Sequence, residues 1–286
     1  GFNVICYDDD LSKIQMLRDG RTNVNEPSLG KLMRANAKRL EFTNDIQRLS
    51  SCGLIYVSPD VATDNEGGSD LAVVERYLEL GLGIINQGTS IVVLSQVPPG
   101  FVRSHYKEGL NLFYQVETLI FGRAVERASQ PERYIVGTAT KDTPLPAIYL
   151  KSLAAHGDPP IVQMSFESAE FAKIAINCCL VASISAANAL AEMCEKIDAD
   201  WDEIMPALRL DKRIGRYSYI QPGLGLAGGN LERDLSTVVR LGEKFGTNVE
   251  IIKAWIAASE HSKNWPLEIL RARILPRIEA PKISIL

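Results

Sequence analysis

What the sequence lacks narrows the field first. Its five cysteines, Cys6, Cys52, Cys178, Cys179 and Cys194, are odd in number and scattered without the paired spacing of a zinc site or a disulfide framework. That pattern excludes a stapled secreted fold, predicts no bound metal and fits a reducing cytoplasm. An excess of positive charge is also lacking: the net charge is −4, which argues against a dedicated nucleic-acid binder and leaves only a local basic patch at Lys212, Arg213 and Arg216. No apolar run reads as long enough to cross a bilayer, and the first residues lack the charged start and apolar core of a signal peptide. No membrane partner and no export are therefore expected. Internal repeats and low-complexity tracts are missing as well, which sets aside solenoid and disordered classes.

What is present is a globular composition, 46% hydrophobic and 23% charged over 286 residues, enough chain for two cores. The opening GFNVICYDDD reads as a strand over Asn3 to Tyr7 that ends in acids, followed by a short helix stopped at Gly20. Strand-like runs recur at 53–59, 89–97 and 133–139, alternating with helical patterns such as 70–84, and this alternation predicts a parallel sheet covered by helices. HGDPPIV at 156–162 punctuates the end of that region. From Ser168 to about Lys196 the sequence runs without proline or glycine, with apolar residues on most faces, as a central helix buried between domains or subunits requires. Shorter helices are predicted at roughly 202–209, 231–245 and 249–262. The expected division is a sheet domain over 1–165, a central helix and helical domain over 166–265, and a connection over 266–286 ending in the strand-like KISIL.

Several residues carry chemistry under one reading and ordinary structure under another. Asp8, at a strand end, is placed either to accept hydrogen bonds from an adenosine ribose or to cap the next helix. The G-x-G-x-x-G loop that would accompany the first role is absent. SQVPPG at 95–100 is either one wall of a cofactor crevice or a tight turn, and Glu117 is either a general base or a solvated acid. Lys173 and Asn177, four apart, share one helix face. The loop Pro222 to Gly229 holds four glycines among eight residues, which lets backbone N–H groups curl around an anion or serves a sharp turn. Asp234 then falls at the start of the following helix.

Taken in order, VICYDDDLSK, NEPSL at 25–29, SQVPPG, the stretch from Glu117 to Gly137 with its QPERYIVG ending, SAEFAKIAIN at 168–177, DKRIG at 211–215 and PGLGLAGGNLERD resemble the UDP-glucose/GDP-mannose dehydrogenase family over essentially the whole chain. The resemblance implies an α/β fold: a Rossmann-type parallel sheet domain joined by a long central helix to a helical domain. It implies that the family's first strand, glycine loop and third, nucleotide-binding domain lie outside this chain. It further implies NAD as cofactor, a nucleotide sugar as substrate with a UDP-sugar foremost, a homodimer, and a place in polysaccharide or glycoconjugate synthesis. Asp8, Lys13 and Ser95 would hold NAD; Tyr219, Gly223 and Gly225 would belong to the substrate loop; Glu117, Lys173, Asn177 and Asp234 would be catalytic.

The sequence departs from the family where its covalent chemistry resides. The cysteine that captures the sugar aldehyde in the family is matched by Asn230, with Gly229 in place of the family's serine and Ala227 in place of a glycine in the same loop. Milder departures are Gln96 and Phe121. An amide is no nucleophile, so the expectation is a single alcohol oxidation, with Asn230 orienting substrate. The alternative is an inactive homologue that binds nucleotide or a subunit partner.

Overall fold

The computed structural model describes residues 1–63, 68–226, 229–278 and 280–284. In chain order the strands are β1 (Val4–Tyr7), β2 (Leu40–Thr43), β3 (Leu54–Val57), the short β4 (Ala62–Thr63) and β5 (Ser69–Asp70), β6 (Ser90–Val93), β7 (Leu112–Gln115), β8 (Tyr134–Thr138) and β9 (Ile161–Ser165). The helices are α1 (Leu11–Arg18), α2 (Leu29–Ala35), α3 (Ala72–Ile84), α4 (Phe101–His105), α5 (Ala124–Ser129), α6 (Ala147–Leu153), α7 (Phe166–Cys194), α8 (Trp201–Leu210), α9 (Gly229–Phe245) and α10 (Glu250–Ile269). Two compact units result: residues 1–62 with 70–173, and residues 63–69 with 174–286.

The first unit is α/β. Its main sheet has the order β3-β6-β7-β8-β9, and β1 pairs with β2 as a separate parallel ribbon. Every residue of β6, Ser-Ile-Val-Val, is buried, as a strand covered on both faces must be. The centre of this unit is Val92, Phe113 and Val136 from three adjacent strands, closed by Tyr149 and Leu153 of α6. Tyr149 reaches 0% exposure because its hydroxyl donates to Gln115 Oε1 at 2.9 Å, so burial leaves no polar group unmet.

Two features of this unit differ from the sequence expectation. The sheet is parallel except at β7–β8, which is antiparallel, because the connection over residues 116–133 carries only the short α5 and does not cross back along the sheet. HGDPPIV does more than punctuate: Ile161–Ser165 is a further strand, parallel to β8 and running directly into α7. Its first two residues are exposed, so it shows neither a buried run nor a clean alternation.

α7 runs from Phe166 in the first unit to Cys194 in the second. It is 29 residues long with a mean hydropathy of 1.8 over its most apolar window, long and apolar enough by length and composition to cross a membrane. Glu170, Lys173, Asn177 and Asn188 interrupt it, so the helix is not an unbroken apolar run. Within the second unit, α7 contributes Val181 to a core that also holds Leu226, Leu235, Val249 and Ile252. A second cluster joins Ala187 and Cys194 of α7 to Trp201 and Ile220. α10 continues to Ile269, past the expected end near 262, because Pro266 is accommodated within it and a wider π-type turn follows over Leu270–Ile274. Of KISIL, residues 282–284 form no strand, and residues 285–286 lie outside the described residues.

Candidate active site

In the first unit Asp8 and Ser95, two of the predicted cofactor residues, stand just past carboxyl ends of strands, where open α/β sheets place their ligands, while Lys13 lies in the first turn of α1. Asp8 follows β1 directly; its Oδ1 accepts the Asp10 amide N–H at 2.9 Å, and its Oδ2 faces the Lys13 ammonium at 3.4 Å. Helix capping, the competing role for this acidic run, falls instead to Asp10, which accepts from the amides of Ser12 and Lys13. Asp9 pairs with Arg76 and with the Tyr77 hydroxyl of α3, and these two hydrogen bonds hold its pKa down at about 2. The three consecutive acids therefore have three different partners.

Ser95 is buried after β6, and its hydroxyl donates to Pro59 O at 2.6 Å, stapling the ends of β6 and β3 together. Glu117 follows β7 half-buried, its Oε1 taking the amides of Thr118 at 2.6 Å and Leu119 at 3.0 Å. It borders a cavity of about 340 Å³ with Arg127, Arg133, Tyr134 and His156. Burial, and then the charge of Glu117, pushes the Tyr134 phenol above its ordinary range. The loop after Glu117 is anchored by Glu26 of NEPSL, whose carboxylate accepts from Gly122 at 2.9 Å and Val125 at 3.3 Å. Phe121 on that loop is 90% exposed.

In the second unit, Asn177 and Asp234 meet: Asn177 Nδ2 donates to Asp234 Oδ2 at 2.6 Å, and both side chains are buried. Lys173, the last residue of the first unit, stands one turn earlier on α7, half-buried. Asn230 is the second residue of α9, one turn before Asp234, and is exposed. Its neighbours Ala227 and Gly228 lie outside the described residues. Burial, and then the charge of Asp234, pushes the thiol of Cys178, next to Asn177, up to about 11, which keeps it protonated at neutral pH.

The glycine loop is held by side chains that local sequence patterns do not single out. Gly223 N–H donates to Asn188 Oδ1 at 2.8 Å, Leu226 N–H donates to Ser259 Oγ at 2.8 Å, and Trp201 Nε1 donates to Ile220 O at 3.0 Å. Gly225 has φ +80°, and a Cβ there would lie 2.6 Å from Ser259 O. Tyr219, Gly223 and Gly225 border a cavity of about 420 Å³ together with Tyr217, Arg209 and Arg216. The Arg209 Nε is buried with no hydrogen-bond partner, a donor set suited to an anion.

Sequence reasoning missed Glu26, Asn188, Ser259, Arg209 and Glu170, the last a fully buried acid within SAEFAKIAIN. The available signal was modest: a single polar residue in an otherwise apolar helical stretch, as at Asn188 in AANALA.

Residues 1–149 match the UDP-glucose/GDP-mannose dehydrogenase family, NAD binding domain, and residues 167–261 match the central domain of the same family. UDP-glucose 6-dehydrogenase TuaD of Bacillus subtilis is 28% identical over 275 residues, 92% of this chain and 59% of that protein. UDP-glucose 6-dehydrogenase AglM of Haloferax volcanii is 25% identical over 96% of this chain and 67% of its own length. The solved UDP-glucose dehydrogenase of Pyrobaculum islandicum superposes with a TM-score of 0.83 at 27% identity, covering 95% of this chain and 66% of that one. The chain thus spans roughly three-fifths of the TuaD length. With both domain matches in order along it, the chain belongs to the UDP-glucose/GDP-mannose dehydrogenase family.

Proposed function

We propose that the protein oxidises an alcohol of a nucleotide sugar, a UDP-sugar foremost, using NAD, and that the reaction ends after one oxidation. The observation that carries this reading is the buried Asn177–Asp234 hydrogen bond, which joins two separate family motifs at one point. Asp234, fixed by the Asn177 amide, would orient a water or accept a proton from the reacting hydroxyl. Glu117 would be catalytic by its match to the family's motif. Lys173 would stabilise the developing alkoxide. Arg209 and Arg216, beside Tyr219, offer charge and hydrogen bonds suited to nucleotide phosphates.

The residues around Asp8 fit NAD. Its carboxylate engages one backbone amide and one distant ammonium, which leaves acceptor capacity for two ribose hydroxyls. Asp8 would hold the adenosine ribose, Lys13 would lie beside it, and Ser95 would fix the neighbouring strand ends. NAD, when bound, supplies the hydride acceptor.

A single oxidation follows from Asn230, whose exposed carboxamide can orient an aldehyde and cannot add to it. The protein would act as a homodimer through α7, which presents exposed Leu190 and Met193, and in the cytoplasm, consistent with five free thiols. Its product would feed polysaccharide or glycoconjugate synthesis.

The test is single-turnover NADH production with a panel of nucleotide sugars. One NADH per sugar supports the reading; two would mean that another group has assumed the covalent role; none across the panel would favour the inactive homologue. In the same assay Asn230→Cys should form an adduct with bound aldehyde, and its failure to do so would overturn the match of Asn230 to the family's thiol.

A further inference from the structure

Glu170 of α7 is at 0% exposure, and no role in the chemistry above requires it. Both of its carboxylate oxygens are engaged within the first unit, to which Glu170 itself belongs. Oε2 accepts the Gly100 amide N–H at 2.6 Å, and Oε1 accepts the Val102 amide N–H at 2.8 Å. These two donors belong to the entry of α4, whose capping residue Gly100 has φ +95° and provides no side-chain cap of its own. The capping function that a local Asp or Ser ordinarily supplies comes here from a distant helix. One turn before Glu170, Glu167 holds the same short helix by another route: Arg103 donates to it at 2.8 Å through Nε, and Arg103 Nη2 also donates to Ala139 O at 2.8 Å.

The placement of this clamp gives it a functional direction. The turn it fixes, Pro98–Gly100, follows β6 and Ser95 at the carboxyl edge of the sheet, the edge where α/β folds receive a dinucleotide. Burying a carboxylate is costly unless convergent donors meet it, and a glutamine could not reproduce the arrangement, since its NH₂ would face one of two N–H donors. We propose that Glu170 is a positioning residue for the cofactor: by clamping the Gly100 and Val102 amides it sets the turn after β6 in the form that binds NAD. It touches neither cofactor nor substrate. This rests on the reading of the first unit as an NAD site.

The experiment compares the intact protein with Glu170→Gln, measuring NAD and UDP affinity by calorimetry and the exchange of the Gly100 and Val102 amides by NMR. The expected result is about a tenfold rise in the NAD dissociation constant, with UDP affinity retained and protection lost at both amides. In turnover the same variant should raise the KM for NAD with kcat and the sugar KM kept. If the glutamine variant does not fold, Glu170→Asp, which keeps the charge and withdraws it by one methylene, is measured in its place with the same expectation. Unchanged NAD affinity in the variant, or equal losses for NAD and UDP, overturns the inference alone. Intact protein that binds no NAD overturns the functional reading and this inference with it.

Discussion

Asn177 and Asp234, 57 positions apart in the chain, share a buried hydrogen bond of 2.6 Å between an amide donor and a carboxylate acceptor. Truncating either partner leaves the other buried and under-satisfied, which costs about 1–3 kcal/mol. Asn177→Ala and Asp234→Ala should each lower stability by that amount, and the double variant should lose less than the sum, giving a coupling of about 1 kcal/mol or more. Urea unfolding of the four proteins measures it. Turnover should fall by about 10²-fold in each single variant, as when one preorganised polar group is removed from an active site. Additive stability losses would show that the pair is not coupled.

Gly223 and Gly225 lie in one loop and should respond differently to alanine. A Cβ at Gly223 meets nothing within 4 Å, whereas at Gly225 it meets Ser259 O at 2.6 Å on a backbone with φ +80°. Gly225→Ala should destabilise by about 1–3 kcal/mol and weaken UDP-sugar binding, while Gly223→Ala should leave both nearly unchanged. Thermal melts and calorimetry decide it, and equal effects at the two positions would refute the account of the loop.

Burial raises the pKa of Glu170 to about 7, against the opposing pull of the Val102 and Gly100 amides and of Arg103, and with a further push from Glu167. A carboxyl whose folded pKa lies above its unfolded value binds protons more readily in the folded state. Its contribution to stability is therefore present below the ordinary carboxyl range and is lost as pH rises through about 7. Subtracting the Glu170→Gln profile from that of the wild type should reveal a decline between pH ~4.5 and ~7.5 of at most ~3 kcal/mol. Asp9, with its pKa at about 2, acts in the opposite sense: its contribution is present at neutral pH and is lost on acidification towards that value. Denaturant midpoints from pH 4 to 8 test the difference, and a flat difference curve would show that Glu170 ionises alike in both states.

Leu190 and Met193 on α7 are 53% and 56% exposed, so this helix leaves apolar surface uncovered within its own chain. A homodimer should cover it. Sedimentation velocity at micromolar concentration should find a dimer, and the double variant Leu190→Glu/Met193→Glu should weaken association by at least about 100-fold, equivalent to ~3 kcal/mol. Wild-type monomer under these conditions would rule out this use of α7.

Much of the frame was legible without coordinates. Strand-helix alternation announced the α/β unit with its helix-covered sheet, and the proline-free stretch announced α7 within two residues at each end. Those signals are local, because backbone propensity and side-chain periodicity act within a few residues. β9 escaped notice because its exposed first residues break both patterns, and the antiparallel junction at β7–β8 escaped because strand direction is set by where a connection returns.

The sequence by itself determined the family's ordered motifs, the lack of a cysteine at position 230, and the glycine that the Gly225 turn demands. Tertiary structure alone decided which polar groups converge. Glu170 and Glu167 occupy the same helix one turn apart, yet one receives two backbone amides while the other pairs with Arg103. Asp8, Asp9 and Asp10 are chemically identical neighbours with three different partners. The physical reason is that a carboxylate's role depends on the donors brought to it, and for Glu170 those donors come from about 70 residues away, a distance over which no local pattern carries information.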